Sequence, residues 1–137
     1  MKTRMREIKF RAWDKKEKRM MKWIDSIIWG NNGIESVKQT TPLQGHARKI
    51  EDIELMQYTG LKDKNGKEIY EEDIVTWDDK SDGKYWRKGA VEWKPAHWFI
   101  HDVIGDGDFN FGAFIYEDEP EELEVIGNIY ENPNLLT

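Results

Sequence analysis

Apolar and polar positions alternate with period two near the start of this chain. Ile8, Phe10 and Ala12 interleave with Lys9, Arg11 and Trp13, which predicts a strand. The polar run Asp14–Lys18 predicts a turn, and Met20 to Ile28 a returning strand-like segment, so the chain opens on a β-hairpin. Gly30-Asn31-Asn32-Gly33 is a second turn. The pattern then fades. From Ile34 to Arg48, with Thr41-Pro42 and Gly45 inside, it predicts a loop or irregular excursion. Ile50 to Leu55 fits a short strand or a helical turn.

Apolar and aromatic residues flank the polar turn around Asn65-Gly66: Leu55, Met56, Tyr58 and Leu61 before, Ile69, Tyr70, Ile74 and Val75 after. Asn-Gly between such runs predicts a hairpin closed by a mirror-image two-residue turn. Strands are predicted at 73–77, 89–93, 98–100 and 111–116, with Gly105–Asp108 as a turn. The last strand is Leu123 to Tyr130, where Gly127 predicts a bulge or a close approach. Glu131 to Leu136 reads as a closing turn. Short strands at regular spacing predict a mainly β protein with little helix: an N-terminal β-hairpin or sheet extension and a small SH3-like barrel in the C-terminal half. The expected division is 1–50 and 51–137, with the weak stretch 31–48 as the boundary, or else one continuous domain.

Composition narrows the function classes. The 137 residues suffice to bury a core, and 7 Trp, 5 Tyr and 5 Phe argue against disorder. With no cysteine, a disulfide framework, a thiolate nucleophile and a cysteine zinc site are excluded. No signal peptide pattern and no apolar run of membrane-spanning length is present, so a cytoplasmic location with no membrane partner is expected. Charge is segregated. Residues 1–22 hold ten Lys/Arg against three acids, a net of +7; residues 101–137 hold ten acids and no Lys or Arg, a net of −10. Solvated surfaces explain this simply, and head-to-tail attraction between subunits is the sharper alternative.

Three blocks carry a family resemblance: Met5-Arg6-Glu7-Ile8-Lys9-Phe10-Arg11-Ala12-Trp13-Asp14, then residues 56–71, and finally Val125-Ile126-Gly127-Asn128-Ile129-Tyr130-Glu131-Asn132-Pro133. In order and wording they resemble the YopX family of phage and prophage proteins. The family pattern begins at Met5, an alternative start. It often has Glu-Gly-Asp where this chain has Glu71-Glu72-Asp73; a glycine there would permit φ > 0, so Glu72 takes an ordinary turn or bears strain. The resemblance implies a bacterial or phage cytoplasmic protein, mostly β and oligomeric. It supplies no catalytic residues.

Three candidate sites remain. His97 and His101, with Asp102, Asp106 and Asp108 nearby, have ligand chemistry, but turns explain the aspartates without a metal. Asp78, Asp79 and Asp82, or Glu117–Glu122, are carboxylate clusters on no rigid element, the usual pattern of solvated loops. Trp77, Trp86, Trp93 and Trp98, interleaved with Lys84, Arg87, Lys88 and Lys94, form the best binding surface, since aromatics stack on bases and cations track a backbone. Against nucleic acid, the chain is acidic, and tryptophans usually fill cores or subunit contacts. The expectation is therefore a non-enzymatic phage or prophage accessory protein without cofactors. It self-associates and binds a phage or host macromolecule. Single-stranded nucleic-acid binding and metal-dependent hydrolysis are the alternatives.

Overall fold

The computed structural model describes residues 7–40, 45–79, 85–94, 97–102, 107–110 and 123–136. The chain is mainly β, and among the described residues the only helical pieces are short 3-10 turns at Ile50–Asp52 and Pro133–Leu136. It divides into two compact units, Met1–Gln57 and Tyr58–Thr137.

In the first unit, β1 (Phe10–Asp14) and β2 (Arg19–Met21) form the expected hairpin. On its other side β1 pairs antiparallel with β6 (Ile53–Lys62), Ala12 lying opposite Leu55. The returning segment is split. After Met21 the chain leaves this sheet and starts β3 (Ser26–Gly30), which turns through Asn31-Asn32 into β4 (Gly33–Thr40). With β5 (Gly45–Lys49), these strands form a three-stranded sheet in the order β3-β4-β5. The expected loop over 34–48 is therefore overturned. Val37 shows why: it is fully buried with Ala12, Met21 and Ile53, and Ile24, Ile27, Ile34, Ile50 and Leu55 pack around them. Here β propensity and one deep anchor outweigh the polar residues between. Thr41 and Pro42 lie outside the described residues.

In the second unit, the latter part of β6 pairs with β7 (Glu68–Tyr70) across the central turn. Five further strands follow: β8 (Asp73–Asp79), β9 (Tyr85–Lys94), β10 (His97–Asp102), β11 (Gly107–Asn110) and β12 (Glu124–Asn128). All pair antiparallel, in the order β11-β10-β9-β8-β12, as a curled half-barrel sheet consistent with the SH3-like barrel expected. Gly107 and Asp108, expected in a turn, belong to β11. The strand expected at 111–116 lies outside the described residues. The core face carries Val75, Trp77, Val91, Trp98, Ile100 and Val125, joined by Ile69 and Leu123. The expected bulge is present: the β12 register shifts between Val125 and Gly127. A Cβ on Gly127 would stand 2.5 Å from the Asn132 amide oxygen, so close approach also selects glycine there.

Candidate interaction surface

Each unit has a turn held by one buried carboxylate. Asp14 is fully buried; its Oδ1 accepts from the Lys16 and Glu17 amides at 3.0 and 3.1 Å, and its Oδ2 accepts from Arg48 Nε at 2.7 Å. Burial pushes this carboxyl up, but the Glu17 amide, Arg48 and the Lys16 amide together outweigh it and hold it below the ordinary 3.8. Asp63 holds the turn of the second unit. Its Oδ1 accepts from the Asn65 and Lys67 amides at 2.8 and 2.9 Å, and its Oδ2 from the Val125 amide in β12 at 2.9 Å.

Asp63 also corrects the expected turn type. Gly66 N–H donates to the Asp63 carbonyl and has φ 81, while Asn65 is not among the positive-φ residues. The turn is thus the common form followed by a left-handed glycine, not the mirror-image form. The carboxylate's grip on two turn amides selects it. Buried carboxylates often mark catalytic sites. These two have both oxygens occupied by structural donors.

The aromatic stripe is divided by the sheet. Register places Trp77 opposite Arg87, Val91 opposite Ile100 and Trp93 opposite Trp98, all on the core face. Trp77 and Trp98 are buried, whereas Trp93, at the end of that face, is 51% exposed. Trp93 meets the ring of Trp98 edge-on, with centroids 4.7 Å apart and planes at 65°. Arg87, Lys88 and Lys94 are half-buried. Trp86 lies in β9 opposite Asp78, its side chain outside the described residues; Lys84 lies wholly outside them.

His97 and His101 fall four apart on β10, hence on one strand face, opposite Lys94 and Ala90 in register. Their side chains, and those of Asp102 and Asp108, lie outside the described residues, as does Asp106. The same holds for the side chains of Asp78 and Asp79, for Asp82 and for Glu117–Glu122. Among the described residues no group of three or more acidic or histidine side chains is placed to hold a metal.

The first unit holds the apolar surface that the sequence reading missed. Trp23 and Trp29 are each 69% exposed and Ile28 is 52% exposed. Ile8 and Ile126 are also exposed. Ile28 and Trp29 sit on β3, a sheet-edge strand with no strand partner on its outer side among the described residues. One signal was available: from Ser26 to Ile34 nine residues run without a charge or a proline.

A family model described as YopX protein matches residues 9–137. The chain belongs to the YopX family. Protein EF1440 from Enterococcus faecalis, known from a crystal structure, is 28% identical, with 96% of this chain and 99% of that one covered and a TM-score of 0.65. The X-ray structure of protein yopX from Bacillus subtilis is 24% identical, covering 97% and 100%, with a TM-score of 0.67; at that identity the likeness speaks for the fold alone. No curated protein matches the chain. Among the described residues no helix is long and apolar enough to cross a membrane.

Proposed function

We propose that this YopX-family protein is a non-enzymatic phage or prophage accessory protein of the cytoplasm that works by contact. It self-associates through β surfaces and binds a phage or host macromolecule. One observation carries the reading: large apolar side chains stand exposed, Ile28 and Trp29 on an edge strand and Trp23 in the segment before it in one unit, and Trp93 at the end of a core face in the other. Isolated exposed apolar residues are ordinary, but consecutive ones on a strand with no outer partner among the described residues favour an interface.

Light scattering across a concentration series tests the self-association. A rise in mass toward a multiple of the 16.3 kDa chain is the expected result, and a constant monomer mass refutes it. Affinity capture from phage-producing cells, run beside a Trp93→Lys variant, tests the macromolecular partner. A partner retained by the wild type and lost by the variant supports that half.

Exposed Trp93 also favours a second reading, single-stranded nucleic-acid binding, since an edge-supported indole is a stacking platform. That binding would fall steeply with added salt, and no binding in low salt ends this reading.

A further inference from the structure

We propose that β3 is the self-association element, pairing antiparallel with β3 of a second copy of this chain across a two-fold axis centred on Ile28. This rests on the self-association reading above and names its partner and its register. Among the described residues β3 is hydrogen-bonded to β4 on one side only, which leaves its outer edge a row of peptide groups able to take another strand. Exposed edges are normally blunted by lysine, proline or an inward charge. From Ser26 to Ile34 this one has no lysine, no proline and no charged residue of its own; it carries only the register shift against β4 between Ile28 and Trp29, and the Glu35 side chain from β4 reaches Gly30 at its end.

That lack of charge selects the occupant. A copy of the same strand brings no charged residue to the centre of the shared edge, whereas a charged strand would leave its charges unpaired against Ile27, Ile28 and Trp29. An isologous interface must also be self-complementary. Centred on Ile28, the pairing sets Ser26 against the second copy's Gly30, and Ile27 against its Trp29.

The side chains on β3 fit this register. Ile27 packs on its own unit's core, yet Trp29, two residues on and so on the same face, is 69% exposed. The core layer ends before the strand does. In the pair, each Trp29 lies beside the other copy's Ile27 and continues that layer, an aromatic–aliphatic cross-strand contact. Ile28, 52% exposed on the opposite face, meets its own symmetry mate. Ile28 and Trp29 at their observed exposures offer roughly 200 Å² per copy, scaled from ~150–250 Å² for a buried aromatic. With the strand edges added, the pair stays below the ~1,200 Å² of a standard specific interface, so a weak, concentration-dependent dimer is expected.

Sedimentation equilibrium of the full chain tests this with three variants. Ile28→Lys sets like charges face to face at the axis and is expected to weaken association at least about tenfold. Trp93→Lys, in the other unit, is expected to leave association unchanged. Because the chain has no cysteine, Ile28→Cys gives one thiol per copy, and oxidised glutathione should link two copies through Cβ atoms about 4.5–5.5 Å apart before closure. Far-ultraviolet circular dichroism confirms that each variant folds. A wild type that stays monomeric at every concentration overturns both this inference and the self-association reading. A wild type that associates with Ile28→Lys unchanged, or only through Trp93, overturns β3 pairing and leaves self-association standing. Loss of association in Ile28→Lys without cross-linking of Ile28→Cys overturns the two-fold register.

Discussion

Replacing Asp63 is expected to be the most damaging single change in the second unit. Its carboxylate is 6% exposed and accepts three amide hydrogen bonds, at 2.8 Å from Asn65, 2.9 Å from Lys67 and 2.9 Å from Val125. Hydrogen bonds to a charged acceptor contribute roughly 1.5–3 kcal/mol each, less where water can replace them. The two turn amides have water nearby; the Val125 amide is buried and keeps its full desolvation penalty. Asp63→Ala should therefore lower stability by about 3–5 kcal/mol. Asp63→Asn retains one acceptor oxygen and turns an NH2 toward a donor, for about 2–3 kcal/mol. Urea unfolding followed by tryptophan fluorescence measures both. Amide exchange adds the location: Val125 should exchange much faster in Asp63→Ala, while Ala12 and Val37 in the first unit hold. A loss below about 1 kcal/mol in Asp63→Ala, or unchanged exchange at Val125, would refute the argument.

Three further changes follow from the same geometry. Glu72 has φ 67, held there by its amide donating to Val91 and its carbonyl accepting from Ile129. Glu72→Gly should raise stability by about 0.5 kcal/mol and Glu72→Val lower it by about 1–2 kcal/mol in thermal unfolding, and a valine variant as stable as wild type counts against strain. Asp14, held below the ordinary 3.8 in the fold, stabilises at neutral pH; that contribution is present above 3.8 and drains away as pH falls through the lower folded value. Between pH 5 and pH 2 the urea midpoint of wild type should drop more than that of Asp14→Asn, and parallel curves would contradict this. Gly127→Ala sets a methyl 2.5 Å from the Asn132 amide oxygen and should cost about 1–3 kcal/mol by calorimetry; no loss would mean that Asn132 yields freely.

The sequence made most of the second unit legible, because its turns and its core obey one pattern. Trp77 stands between polar Thr76 and Asp78, Val75 and Val91 are β-branched, and Gly127 announces its bulge. At Asn65-Gly66 the dipeptide located the turn but named the wrong type, because the deciding group was the carboxylate two residues earlier. The first unit was harder. Among the described residues between Ile34 and Arg48 only Val37 is deeply buried, so β4 and β5 carry a strand pattern too thin to separate from loop. Among the candidate residues, composition did not distinguish a tryptophan that fills the core from one that leaves it. Trp77, Trp93 and Trp98 share one sheet face, and only the point where the core stops separates them. The exposed edge at β3 was missed for a related reason: an apolar strand reads as buried until its neighbours are known.

The two aspartate-held turns also bear on the order in which the chain assembles. Arg48 lies 34 residues after Asp14, and Val125 lies 62 residues after Asp63. Neither hairpin is locked by its own residues alone. Each stays a loose bend until a distant strand arrives to share the acid, so the slow event in folding is long-range closure. During synthesis on the ribosome, the second unit cannot reach its final form before its last strand has emerged.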